Sequence, residues 1–105
     1  MATTARVSFL DALEAEIWRN AVEEQKFDLD RGEVEEIGQR VGLNAQQAAC
    51  QFLQLAGDVW VGWIHPVDGG EVPAYEPQRA DIEWTDVVLD RMAMERMGKI
   101  PQLDL

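Results

Sequence analysis

The chain has 105 residues and a formal net charge of −11, with 20 Asp and Glu against nine Lys and Arg. A hydrophobic share of 47% is enough for one small globular core, and the length bounds the chain to one domain. That charge argues against ordinary phosphate binding and against docking on an anionic membrane, and one cysteine, Cys50, excludes an internal disulfide framework.

In chain order, residues 1–7 are expected to be a mobile lead-in without the apolar centre of a signal peptide. Ser8-Phe9-Leu10-Asp11 offers a helix cap, and Leu10, Leu13, Ile17 and Ala21 recur at helical spacing. A first helix is predicted over about 8–27. Asp30-Arg31-Gly32-Glu33 is a capping box opening a second helix, with Val34, Ile37 and Val41 inward and Gly42 as its stop. Asn44-Ala45-Gln46-Gln47 caps a third, with Ala48, Phe52 and Leu55 inward and Gly57 as its stop.

The period then changes. Asp58–Ile64 reads as a strand, His65–Gly70 as a turn, and Glu71–Tyr75 as a return strand, which Pro73 confines to a sheet edge. Strand alternation puts Val59, Val61 and Trp63 on one face and Trp60 and Ile64 on the other. Pro77 closes the hairpin. Trp84, Val88 and Met92 then predict a helix over Asp81–Met97, ended by Gly98 and Pro101. Lys99–Leu105 is expected to be an exposed tail. The domain runs from 8 to 98, and its class is α+β, mainly helical, with a two-stranded hairpin and a C-terminal helix.

The stretch Val34–Asn44, with Gly38 small inside its helix, Gly42 at the turn and Leu43 after it, is followed by Ala48, Phe52, Leu55, Gly57 and a strand from Val59. Over about residues 30–75 this resembles the winged helix–turn–helix family. The resemblance implies a recognition helix at 44–56 and a wing at about 58–75. It implies contact with DNA, through Gln46, Gln47 and Gln51 as base readers. The sequence departs from the family in charge: no Lys or Arg lies between Arg40 and Arg79, and the wing carries Asp58, Asp68, Glu71 and Glu76. Without cations a duplex is not anchored.

Two other patterns point to a protein partner. Glu23, Glu24, Asp28, Asp30, Glu33, Glu35 and Glu36 place seven carboxylates in 14 residues, with Lys26 and Arg31 among them. They read as a solvated face, as salt adaptation, or as a surface that imitates nucleic-acid charge and enters the basic groove of a nucleic-acid-binding partner. Trp60 and Trp63 read as cap of the core or as interface anchors. The functional expectation is a cytoplasmic, non-catalytic protein-binding module, an inhibitor or adaptor. In size and charge it is similar to small phage-borne inhibitors of host defence, by analogy only. The alternative is a DNA-binding transcriptional regulator. A homodimer through the first and last helices, with Met92, Met94 and Met97 at the contact, is a further expectation. No enzyme, metal or cofactor is expected. Cys50 reads as a packing residue, His65 as a solvated turn residue and Ser8, the only serine, as a cap.

Overall fold

The computed structural model describes residues 2–74, 76 and 82–102, with backbone alone at 2–7, 58 and 59. The elements in order are α1 (Ala2–Arg19), a π-helical turn (Asn20–Glu24), β1 (Asp28–Asp30), α2 (Arg31–Arg40), α3 (Ala45–Val59), β2 (Gly62–Pro66), β3 (Val72–Pro73), β4 (Trp84–Leu89) and α4 (Arg91–Arg96). The class is α+β and mainly helical, with one small antiparallel sheet in the order β1-β4-β2-β3.

Two predicted capping boxes set the helical corner. Glu33 N–H donates to Asp30 Oδ1 at 2.8 Å, and Asp30 N–H reaches back to Glu33 Oε1 at 3.4 Å. Gln47 N–H donates to Asn44 Oδ1 at 2.8 Å, and Asn44 N–H to Gln47 Oε1 at 2.9 Å. Each box satisfies two backbone donors that a helix start would otherwise strand. Between them Gly42 takes φ +90°, and Leu43 N–H donates to Gly38 O at 2.9 Å. Gly38 lets α2 lie directly on α3, because a Cβ there would overlap the Cβ of Ala48.

The core joins this corner to α1 and to the inner face of the sheet. Phe9, Leu13, Ile17 and Ala21 come from the first helix and its π turn, Val34 and Ile37 from α2, and Ala48, Phe52, Leu53, Leu55 and Ala56 from α3. Ile64, Val87 and Leu89 close it from the strands. At its centre Phe52 lies between two indoles. Its ring stacks on Trp84 at 5.3 Å between centroids and meets Trp60 at 5.5 Å, tilted by 34°.

Several sequence expectations are corrected. Helix α1 begins at Ala2, so Ser8 lies inside it and caps nothing. It gives way at Asn20 to a π turn that Gln25 ends at φ 51°, short of the expected residue 27. Asp28-Leu29-Asp30, expected only to break the pattern, is a strand at the other edge of the sheet, paired to β4, with Leu29 fully buried. Helix α3 passes through Gly57 to Val59 before Trp60 turns extended. The strand therefore begins at Gly62, and the return strand is two residues long, at the edge as Pro73 requires.

The largest correction is the helix expected over Asp81–Met97. The described part is strand β4 followed by a six-residue α4 that Asp90 caps. Opposite the step from His65 to Pro66 the register jumps from Asp86 to Trp84, an irregularity that leaves Thr85 unmatched. The inward residues of β4 are consequently Trp84, Val87 and Leu89, and the first spacing of three imitates a helix. The expected tail also folds back. Ile100 is buried, and Lys99 Nζ donates to Glu14 Oε2 at 3.2 Å. Tyr75, Pro77, Arg79 and Asp81 lie outside the described residues, as do residues 103–105.

Gly38→Ala is expected to cost about 1–3 kcal/mol by overpacking the α2–α3 contact. Phe52→Ala is expected to cost about 3–5 kcal/mol by opening a cavity between the indoles. Urea denaturation of each variant measures both.

Candidate functional site

The seven carboxylates of the acidic stretch are spread over three elements. Glu23 and Glu24 stand on the π turn, Asp28 and Asp30 on β1, and Glu33, Glu35 and Glu36 on α2. Four of them hold the fold. Asp30 and Glu33 form the capping box; Glu33 also accepts from Lys26 Nζ; Glu35 accepts from Arg31 Nε at 3.0 Å; Glu23 accepts from Arg19 Nη1 at 3.0 Å. Burial disfavours the Lys26 ammonium, but Glu33, Asp28 and Asp30 outweigh it and raise its pKa above the ordinary value. Arg31 reaches further, donating from Nη1 to Glu83 Oε2 at 2.8 Å and standing 5.8 Å from the centre of the Trp84 ring. Glu24 and Glu36 are exposed, and Asp28 is half-buried.

Between α1 and α2 lies a cleft of about 430 Å³ lined by Glu16, Arg19, Glu33, Glu36, Ile37 and Arg40. Its charges are interleaved. Arg19 donates to Glu16 and to Asn20 Oδ1, the latter at 2.9 Å, and Arg40 stands 3.9 Å from Glu16. The cleft is a cross-linked seam between two helices.

The two tryptophans of the hairpin have opposite fates. Trp60 is 2% exposed and belongs to the core, which removes it from the candidate binding surface. Trp63 is 37% exposed on the outer face of the sheet, with Ile64 fully buried beneath, as the alternation predicts. The register shows what surrounds Trp63. One row across all four strands is Asp28, Val88, Trp63, Pro73. The adjacent row is Asp30, Asp86, His65, with Glu71 bonded to the imidazole from the far side. An aromatic and aliphatic strip is thus bordered by carboxylates. Such a strip attracts a guanidinium or ammonium twice, through the indole face and through charge.

His65 is part of β2 and not a solvated turn residue. Its Nδ1 is 3.0 Å from Asp86 Oδ1 and its Nε2 is 3.2 Å from Glu71 Oε2. The sequence hides this group, because the helical spacing over Asp81–Met97 puts Asp86 on a helix and the β2–β4 register is what brings it to His65.

The solvent face of α3 carries Gln46, Gln47 and Gln54. Gln47 is engaged in its capping box, and Gln46 Nε2 lies 3.4 Å from Cys50 Sγ. Gln51 is half-buried, so of the three expected base readers only Gln46 and Gln47 stand fully in solvent. Among the described residues, no group of three or more His, Cys, Asp and Glu is placed to hold a metal ion, and no helix is long and apolar enough to cross a membrane.

Trp60→Ala is expected to cost about 3–5 kcal/mol, and Trp63→Ala about 1 kcal/mol or less. Asp30→Ala should cost about 1 kcal/mol through loss of the α2 cap. Thermal and urea unfolding check all three. Comparison of the chain with protein-family models, with curated proteins and with solved structures finds no match.

Proposed function

We propose that the chain is a winged-helix protein-binding module whose partner presents a segment rich in Arg and Lys. The reading joins two supports. The winged-helix resemblance is supported by the α2–α3 corner with Gly38, Gly42 and Leu43, followed by the antiparallel β2–β3 pair within residues 58–75 read as the wing. The charge of the same surfaces disagrees with DNA as the ligand.

The observation that carries the reading is the outer sheet face. Trp63, Val88 and Pro73 form a strip, and Asp28, Asp30, Asp86 and Glu71 border it. A basic peptide chain laid across this face meets apolar contact along its middle and carboxylates at its sides. Exposed Glu23, Glu24 and Glu36 add a wider attractive field that speeds encounter and is screened by salt. The natural target of such a surface is the basic groove of a nucleic-acid-binding protein, where the module would act as inhibitor or adaptor in place of a polyanion.

Gln46 and Gln47, exposed at the start of α3, favour a second reading as a DNA-binding regulator in which amides read base edges.

Fluorescence anisotropy with a labelled arginine-rich peptide and with a labelled DNA duplex separates the two. The peptide is expected to bind and to weaken steeply as salt rises, while the duplex does not bind at low salt. Trp63→Ala keeps the net charge and is expected to weaken the peptide about tenfold through loss of the cation–π contact. Unchanged peptide affinity in Trp63→Ala would remove the sheet face from the reading. Duplex binding abolished by Gln46→Ala would establish the regulator instead.

A further inference from the structure

His65 joins carboxylates from two different segments. Asp86 belongs to β4, and Glu71 immediately precedes β3. A carboxylate only accepts, so each contact needs an N–H on the imidazole side. The imidazolium has two N–H donors and the neutral ring has one. Both contacts therefore coexist only while His65 is protonated.

Apart from this ring the segment is fixed chiefly at its far end, where buried Ala74 donates its N–H to Gly62 O at 2.8 Å. Strand β3 contributes two paired residues, and the loop from Val67 to Glu71 passes through Gly69 and Gly70 at φ +102° and +82°. Its backbone ties are Gly69 N–H to Pro66 O and Val67 N–H to Glu83 O, both 3.0 Å. The charged groups that face the ring are Asp86 on β4 and Glu71 at the end of the loop, with Asp30 of β1 in register opposite Asp86. At the entry to β4, Glu83 is already paired with Arg31 of α2.

We infer that His65 is a proton-operated latch on the β2–β3 loop: protonated, it ties Glu71 to β4 through Asp86; neutral, it keeps Asp86 and releases Glu71. The choice of contact follows from exposure. The Glu71 side chain is 63% exposed and readily exchanges its donor for water, whereas Asp86 is 28% exposed and also accepts from the Thr85 hydroxyl at 3.0 Å. Hydrogen bonds to Glu71, then to Asp86, raise the imidazole pKa above its usual 6.5. A raised folded-state value means that the latch contributes fully below the unfolded value. Its contribution fades as pH climbs through the raised one. The loop is therefore closed in mildly acidic solution and opens as pH rises above the ordinary imidazole range. This inference concerns the free protein and does not depend on what the sheet face binds.

NMR on the free chain tests it. The His65 ring shifts and the hydrogen-exchange protection of residues 68–72 are followed together from pH 5 to 9, roughly spanning the imidazole range. The expected result is one shared transition, with protection falling roughly fivefold on deprotonation. Glu71→Gln offers the ring both an acceptor and a donor, so its loop should stay protected across the range. Glu71→Ala should leave the loop open across the range, with Asp86 still on the ring. A transition that persists in Glu71→Ala, or wild-type protection that does not follow the His65 titration, would overturn the latch.

Discussion

The fold hangs on the contact of Phe52 with Trp84 and Trp60. These rings come from the middle of a helix, from a strand 32 positions later, and from the residue where the helix ends. Stacked and tilted ring pairs add about 0.5–1.5 kcal/mol each beyond the burial of their area. More important is what the contact fixes. With Trp84 held inward and Thr85 left unmatched after it, Val87 and Leu89 enter the core while Asp86 and Val88 look out. The neighbours of β4 follow: Ile64 goes in and Trp63 out, Leu29 in and Asp28 out. The composition of the outer sheet face is thus decided from beneath, and Arg31 beside Trp84 ties α2 into the same arrangement.

The helical half of the molecule was legible because its signals are local. A capping box spans four residues, and Asp30–Glu33 and Asn44–Gln47 both form as read. The position of Gly38 and Gly42 likewise follows from nearest neighbours. The sheet was less legible because its determinants are remote. Nothing beside Asp28–Asp30 says that Val87 and its neighbours will pair with it across some sixty residues. In β4 the unmatched Thr85 shifts the inward positions, so a strand displays a helix-like interval. Gly57 failed as a stop because the turn beyond it delivers Trp60 into the core against Phe52, and tertiary packing outweighs one residue's propensity. For the site, Trp63, Asp28 and Asp30 are named from the chain. Alternation sets Trp63 and Trp60 on opposite faces without saying which is buried, and bringing Asp86 and Glu71 to His65 needed the register.

The carboxylates divide by occupation. Asp30, Glu33 and Asp90 cap helix N-termini, and Glu14, Glu16, Glu35, Glu83 and Glu95 fasten cations from other turns or elements. High negative charge in a small domain is self-repulsive, and two of the arginines each offset more than one acid. Arg19 serves Glu16 and Glu23, and Arg31 serves Glu35 and Glu83. Acids therefore do much of the cross-linking here, and what faces outward is the surplus.

Pro73 has a consequence for assembly. A sheet margin ordinarily invites another strand to zip on, since its amides and carbonyls wait for counterparts. Here the β3 margin is two residues long and one of them has no amide hydrogen to offer. Recruitment of a second polypeptide by main-chain ladder is blocked on that flank, which leaves side-chain chemistry, legible as surface composition, to select what this molecule associates with.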